Sequence, residues 1–143
     1  MFSKSTEYAL RAVIYIAKKS NDQKKLGLDM IAKAIDSPKS YTAKILQQLT
    51  TGERNIVSSI SGPGGGFFMT EKDKQRAVRD ILRAMGEDQI LDKCVLGLSI
   101  CSDKNPCAMH RDYKEIKSNL IHLFEEKTIS QLANDYPDLH FRR

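Results

Sequence analysis

Residues 28–51, LDMIAKAIDSPKSYTAKILQQLTT, and, after a four-residue join, residues 56–69, IVSSISGPGGGFFM, decide the fold. In the first stretch Leu28, Ile31, Ala32 and Ile35 recur at i, i+3, i+4 and i+7, which predicts a short helix with one buried face. Asp36-Ser37-Pro38 stops it and starts the next, with Ser37 expected as N-cap and Pro38 at the first helical position. From Pro38 to about Thr51 a further helix directs Ile45, Leu46 and Leu49 inward and Lys39, Ser40, Lys44, Gln47 and Gln48 outward. Two short helices across a tight turn, the second polar and basic outside, form the helix-turn-helix pattern, though many small helical domains contain such a pair. The second stretch adds the deciding information. Ile56 to Ile60 is rich in β-branched residues, Gly62-Pro63-Gly64-Gly65-Gly66 is a turn, and Phe67-Phe68-Met69 reads as the returning strand. A hairpin directly after the second of these helices predicts a winged helix, with the recognition helix in a major groove and the hairpin tip near the minor groove or backbone. The glycine run is also compatible with a plain flexible hairpin loop. A phosphate-binding loop is excluded, since no Gly-Lys-Ser/Thr follows and the run enters a strand rather than a helix.

Upstream, Ala9, Ala12, Val13, Ile16 and Ala17 predict an amphipathic helix over residues 5–19, and Asn21 to Lys25 a polar turn. Downstream, a helix is expected from Asp73 to Met85, with Ala77, Val78, Ile81, Leu82 and Met85 buried, Lys74, Arg76, Arg79 and Arg83 largely outside, and Gly86 ending it. A long helix from about Pro106 to Lys127 carries Met109, Tyr113, Ile116, Leu120, Leu123 and Phe124 as one apolar stripe. Such a seam outside the winged-helix core requires a partner, and the simplest is the same helix of a second subunit, giving a homodimer. A last short helix from Thr128 to Asp135 is capped by Thr128 and stopped by Tyr136-Pro137, leaving a loose tail. The fold class is therefore mainly α with a small β-hairpin: a winged helix-turn-helix DNA-binding domain over residues 1–72, then a cysteine-bearing loop, the candidate cluster-binding loop considered below, and dimerisation helices over residues 73–143.

The chain has 143 residues, a formal net charge of +5, three cysteines and three histidines. The moderate positive charge suits contact with nucleic acid on one face without demanding it. No apolar run approaches the roughly 20 residues that cross a bilayer, and the N-terminus lacks signal-peptide features, so a cytoplasmic protein with no membrane partner is expected. No histidine pairs with a serine or cysteine in a nucleophilic motif and no glycine-rich cofactor fingerprint is present, which argues against an enzyme. All three cysteines fall in residues 94–107, spaced Cys-x6-Cys-x5-Cys, and His110 follows the last by three. An odd number of clustered thiols fits ligation or redox sensing better than a disulfide framework. Three readings stay open on the residues alone: an iron-sulfur cluster, a structural zinc ion, or a metal-free thiol switch.

Tyr8-Ala9-Leu10-Arg11-Ala12, Ile31-Ala32, Val57-Ser58-Ser59, Gly62-Pro63-Gly64-Gly65-Gly66-Phe67 and the cysteine triad together resemble the Rrf-two family of bacterial transcription regulators, over almost the whole chain. The resemblance implies a homodimer on a palindromic operator in double-stranded DNA, with the long helix in the dimer interface. It also implies an iron-sulfur cluster controlling operator affinity, a 2Fe-2S type being expected ahead of a 4Fe-4S type. By this likeness Cys94, Cys101 and Cys107 are three ligands and His110 the fourth. Other members use a first-helix carboxylate, here Glu7, which otherwise serves as a partner for the helix dipole. Three positions depart from the family pattern: the first cysteine gap is six residues rather than five, Gly52-Glu53-Arg54-Asn55 lengthens the join before the wing, and Ser61 stands where arginine is common. The residues expected in the major groove are Lys39, Ser40, Lys44 and Gln47; Ser3 and Lys4 are expected at phosphates. Gly64 and Gly65 are expected at the wing tip.

Overall fold

Small apolar residues along one helix determine the centre of the molecule. In the computed structural model, which describes residues 1–98, 103–135 and 141, helix α1 (Lys4–Lys19) carries Tyr8, Ala9, Ala12, Val13 and Ile16 with almost no exposure. The alanines let neighbouring helices approach closely, and α1 is surrounded by α2 (Leu28–Ala34), α3 (Lys39–Thr50), α5 (Arg79–Ala84) and α7 (Ile129–Asn134). Ser3 caps α1 by accepting the amide of Thr6. At the other end the Ser20 hydroxyl donates to the Ile16 carbonyl at 2.6 Å and accepts the Met69 amide at 3.0 Å, tying the end of α1 to the residue that follows the hairpin.

Helix α3 buries Thr42, Ile45, Leu46 and Leu49. Each fully buried Ile or Leu side chain contributes about 1.5–3 kcal/mol relative to exposure, so this stripe fixes which face of α3 remains outside. The turn before it differs from expectation by one position. Pro38, not Ser37, is the N-cap and makes no side-chain cap bond; its carbonyl accepts both the Thr42 amide and the Thr42 hydroxyl at 2.9 Å. Asp36, at φ 56, makes the reversal in the left-handed region, where aspartate is tolerated better than most residues.

Strands β1 (Ser58–Ile60) and β2 (Gly66–Phe68) pair antiparallel, Ser59 opposite Phe67. Leu26 bridges Phe67 on the other side of β2 through two 2.8 Å backbone bonds and is 1% exposed. The wing is thus held on three strand positions, the third of them supplied by the loop before α2.

The single helix expected over residues 73–85 is two: α4 (Glu71–Lys74) and α5. The break has a distant cause. The Val78 amide donates to the Lys127 carbonyl at 2.9 Å and the Ile129 amide to the Arg76 carbonyl at 3.0 Å, so these backbone groups are used across elements rather than along a helix. Lys74 and Arg79, expected outside, are 9% and 7% exposed. Lys74 donates to the Ser20 carbonyl at 2.7 Å.

Gly86, at φ 71, ends α5 as expected and leads into a 3-10 turn over Asp88–Leu91. Helix α6 begins at His110 rather than Pro106 and runs to Glu126 with no buried residue. Of its apolar stripe, Ile116 and Leu123 are 60% and 57% exposed. Helix α7 starts with the Thr128–Gln131 capping box and sets Ile129 and Ala133 into the same core as α1. Tyr136-Pro137, expected to stop the last helix, lies outside the described residues, as does all of the following tail but Phe141.

Candidate functional site

The outer face of α3 is the first candidate surface. Burial of Thr42, Ile45, Leu46 and Leu49 leaves Lys39, Ser40, Ala43, Lys44, Gln47 and Gln48 exposed together on one side. The helix contains no acidic residue, so the face is polar with two positive charges, Lys39 and Lys44. Lys39 is held by Asp29 of α2 at 2.9 Å, an exposed pair that orients the lysine and stabilises little.

The wing tip has a defined turn. The Gly65 amide donates to the Gly62 carbonyl at 3.0 Å across Pro63-Gly64, with Gly64 at φ 77; proline at i+1 and a positive φ at i+2 is the type II pattern. A Cβ on Gly65 would lie 2.1 Å from the Ile60 carbonyl oxygen, and one on Gly66 would lie 2.6 Å from that of Leu26. Ile60, 51% exposed, projects beside this turn.

At the start of α1, Lys4 is exposed and 3.8 Å from Glu7, whereas Ser3 is already engaged. The Ser3 hydroxyl and the Thr6 hydroxyl, the latter at 2.6 Å, both donate to Glu87 Oε1, and the Ser3 amide donates to Glu87 Oε2 at 3.2 Å. Burial works against the charge on Glu87, yet these hydrogen bonds and the nearby Lys93 hold its carboxyl below the ordinary glutamate value.

The second candidate site precedes α6. Cys94 is buried and Cys107 half-buried, their sulfurs 3.3 Å apart. A disulfide bond is about 2.05 Å, so these are two separate thiols. Two sulfurs on one tetrahedral ion, at metal–sulfur bonds of about 2.3 Å, stand roughly 3.8 Å apart. Cys94 and Cys107 therefore converge to within about half an ångström of ligand spacing, and as donors they fit a thiophilic metal or cluster. Cys101 lies outside the described residues; among the described residues no group of three or more His, Cys, Asp or Glu side chains gathers as a metal site. His110, the first residue of α6, meets Asp103 Oδ1 through Nε2 at 2.8 Å, and Lys114 donates to both oxygens of the same carboxylate at 2.9 Å. Hydrogen bonds from Lys114 and then His110 keep Asp103 below the ordinary carboxylate range. Glu7 is engaged by Lys4, with its side chain 42% exposed.

Residues 2–135 match the profile of a family described as "Iron-dependent Transcriptional regulator", Rrf2. The chain belongs to the Rrf2 family. A relative from Aquifex aeolicus, named as an HTH-type transcriptional regulator, is 32% identical over 136 residues, 94% of this chain and 92% of that one. The transcriptional regulator IscR of Escherichia coli is 25% identical over 96 residues, 67% of this chain and 57% of IscR. The solved structure of CymR, the global cysteine regulator of B. subtilis, superposes with a TM-score of 0.72 at 20% identity over 95% of this chain and 98% of CymR. The protein is thus a winged-helix DNA-binding transcriptional regulator, as the wing and the helix-turn-helix spacing imply, and its Rrf2 relatives are regulators rather than enzymes. No helix among the described residues is long and apolar enough to cross a membrane.

Several residues of this Rrf2 chain escape a reading of local patterns. Asp103 had one available signal, a carboxylate inside the cysteine loop. Asp29, Tyr41, Arg79 and Glu87 had none, because each acts on a residue in another element. Arg79, at the start of α5, donates to Glu125 of α6 at 2.5 Å and to Asp92 at 3.0 Å, two residues before Cys94. Lys117 of α6 donates to the Asp92 carbonyl at 2.7 Å. The base of the cysteine loop is therefore bound to both α5 and α6.

Proposed function

We propose that this chain is a homodimeric regulator whose affinity for a palindromic operator follows the chemical state of the segment from Cys94 to His110, with an iron-sulfur cluster as the resident group. The observation that carries the reading is the approach of Cys94 and Cys107 to 3.3 Å, directly ahead of α6. Cys94, Cys101 and Cys107 would hold the cluster as thiolates and His110 as the fourth ligand. An imidazole that gives one ring nitrogen to a carboxylate offers the other to a metal, and His110 stands in that relation to Asp103; Glu7, already paired with Lys4, is the weaker choice. The family description as iron-dependent supports the same assignment. When bound, the cluster supplies iron–thiolate bonds sensitive to oxidant, nitric oxide and iron supply.

The division of labour follows the chain: residues 1–72 read DNA and residues 73–143 sense and dimerise. Lys39, Ser40, Lys44 and Gln47 face the major groove, and Gly64 and Gly65 bring the wing backbone close to the sugar-phosphate chain. Lys4 contacts a phosphate; Ser3 reaches one only when Glu87 lets go. The exposed Ile116 and Leu123, with the half-buried Leu120, pack against their symmetry mates, and this spacing sets the two recognition helices about one helical turn of DNA apart. A second reading draws on the same short sulfur–sulfur distance: Cys94 and Cys107 act as a dithiol that closes to a disulfide, giving up two protons and two electrons to a peroxide or disulfide oxidant.

The test is anaerobic purification with a visible spectrum, counts of iron and sulfide, and zinc analysis. About one cluster per subunit is expected, lost in Cys107→Ser, with different Kd values for loaded and stripped protein on a fluorescein-labelled duplex selected from random sequence. A colourless preparation without iron removes the cluster. An oxidation-dependent Kd that survives chelation then establishes the dithiol, and stoichiometric zinc a structural site.

A further inference from the structure

The first turn of α1 carries three hydroxyl side chains, and they point to two different partners. Ser3 and Thr6 bond Glu87, which lies between α5 and the 3-10 turn. Ser5 bonds Tyr41, the third residue of α3, Oγ to hydroxyl at 2.7 Å. The Tyr41 ring also meets the buried Tyr8 ring edge-on at 5.4 Å. Backbone bonding closes the turn, the Glu7 amide donating to the Ser3 carbonyl at 3.0 Å, so Ser3 cannot shift while Ser5 stays in place.

We infer that Glu87 is a positioning residue for the recognition helix: its carboxylate holds the first turn of α1, and that turn holds Tyr41 at the start of α3. Tyr41 stands between Ser40 and Thr42, one turn before Lys44, so its placement sets the angle at which the exposed face of α3 is presented. On the other side, Glu87 begins a short, anchored strap. Leu91 is 1% exposed, Asp92 is bound by Arg79, and Cys94 is 4% exposed. Between Glu87 and Cys94 there is little slack, so a displacement at Cys94 pulls on the carboxylate. Phe2, packed edge-on against Phe124 of α6 at 5.6 Å, joins the same turn to the long helix. The regulatory half of this inference rests on the iron-sulfur reading above; the coupling of Glu87 to Tyr41 does not.

Two measurements test it. The first is amide hydrogen exchange on wild type and Glu87→Ala: faster exchange is expected at the start of α1 and also in α3 from Thr42 onward. A residue that only caps α1 would leave α3 unchanged, and that result overturns the proposal. The second is a double-mutant cycle with Tyr41→Phe, read as Kd on the selected labelled duplex. Each single change should weaken binding by about fivefold or more, and the double variant no further, although Glu87 and Tyr41 do not touch; multiplying effects would refute the link. If Glu87→Ala folds poorly, Glu87→Gln, which keeps an acceptor, gives the same comparisons at smaller amplitude. With cluster-loaded and stripped protein, the Kd ratio between states should fall toward one in Glu87→Ala. A ratio that persists overturns the regulatory route. A wild-type ratio of one overturns the iron-sulfur reading and, with it, that route, while exchange and cycle still decide the coupling.

Discussion

Replacing Arg79 by methionine sets opposing terms against each other. The guanidinium makes two charge-assisted bonds, to Glu125 and Asp92, each worth about 1.5–3 kcal/mol in a dry setting. Taken at face value their loss would cost about 3–6 kcal/mol. However, the Glu125 and Asp92 side chains are 47% and 58% exposed and return to water when the arginine is gone, which brings each pair toward the roughly 0–1 kcal/mol of surface ion pairs. Arg79 also has a cost of its own, since its Nε is buried without a partner among the described residues. Methionine keeps the apolar stem and removes that donor. The expected outcome is a loss of about 1–2 kcal/mol, measured by urea denaturation followed by circular dichroism at fixed protein concentration, because any dimerisation links stability to concentration. A loss above about 4 kcal/mol, the scale of a fully buried pair broken on one side, would show that the carboxylates are not resolvated. A gain in stability would show that the ion pairs contribute nothing net.

Three further outcomes follow from named contacts. Lys44→Ala should weaken binding to the selected duplex and lower the salt slope of log Kd by about 0.9, one phosphate's worth; an unchanged slope would remove that lysine from the backbone. Gly65→Ala should add about 1–3 kcal/mol of local strain as its Cβ meets the Ile60 carbonyl, reducing DNA affinity while the helical circular dichroism signal persists; wild-type affinity would place the wing tip off the DNA. Burial opposes charge on Asp80, but hydrogen bonds from Arg83 and Arg76 win and lower its carboxyl below the ordinary 3.8. The unfolded chain therefore takes up this proton first, and the contribution is complete above 3.8 and lost as pH falls through the folded value. Asp80→Asn and wild type should differ most near neutrality and converge in acid; stability curves that stay parallel would contradict this.

What was legible in the sequence is what repeats at short range. The period of Ile45, Leu46 and Leu49 located the exposed face of α3, and the Gly62 to Gly66 run located the wing, because both are decided by residues a few positions apart. The cysteine spacing points to a site, and of the three Cys94 and Cys107 stand 3.3 Å apart. Apart from shifted helix starts at Pro38 and His110, the differences come from partners far along the chain. Nothing near Arg79 signals Asp92 and Glu125, so a residue of that type was expected in solvent. Nothing near Val78 signals the backbone of Lys127, so one helix was expected where there are two. Leu26, an isolated apolar residue in a polar loop, shows no period yet completes the wing by pairing with Phe67.

The two wing glycines also bear on how such a regulator acquires new operators. At Gly65 and Gly66 any added carbon meets a carbonyl oxygen, so mutation cannot install a base-reading side chain there without breaking the hairpin. Ser40, Ala43, Lys44, Gln47 and Gln48 are all exposed, and exchanges on that face leave the core untouched. On the binding mode proposed above, drift in DNA sequence preference would be channelled into one helix face, while the wing would persist as a feature that recognises the shape of the duplex and not its letters.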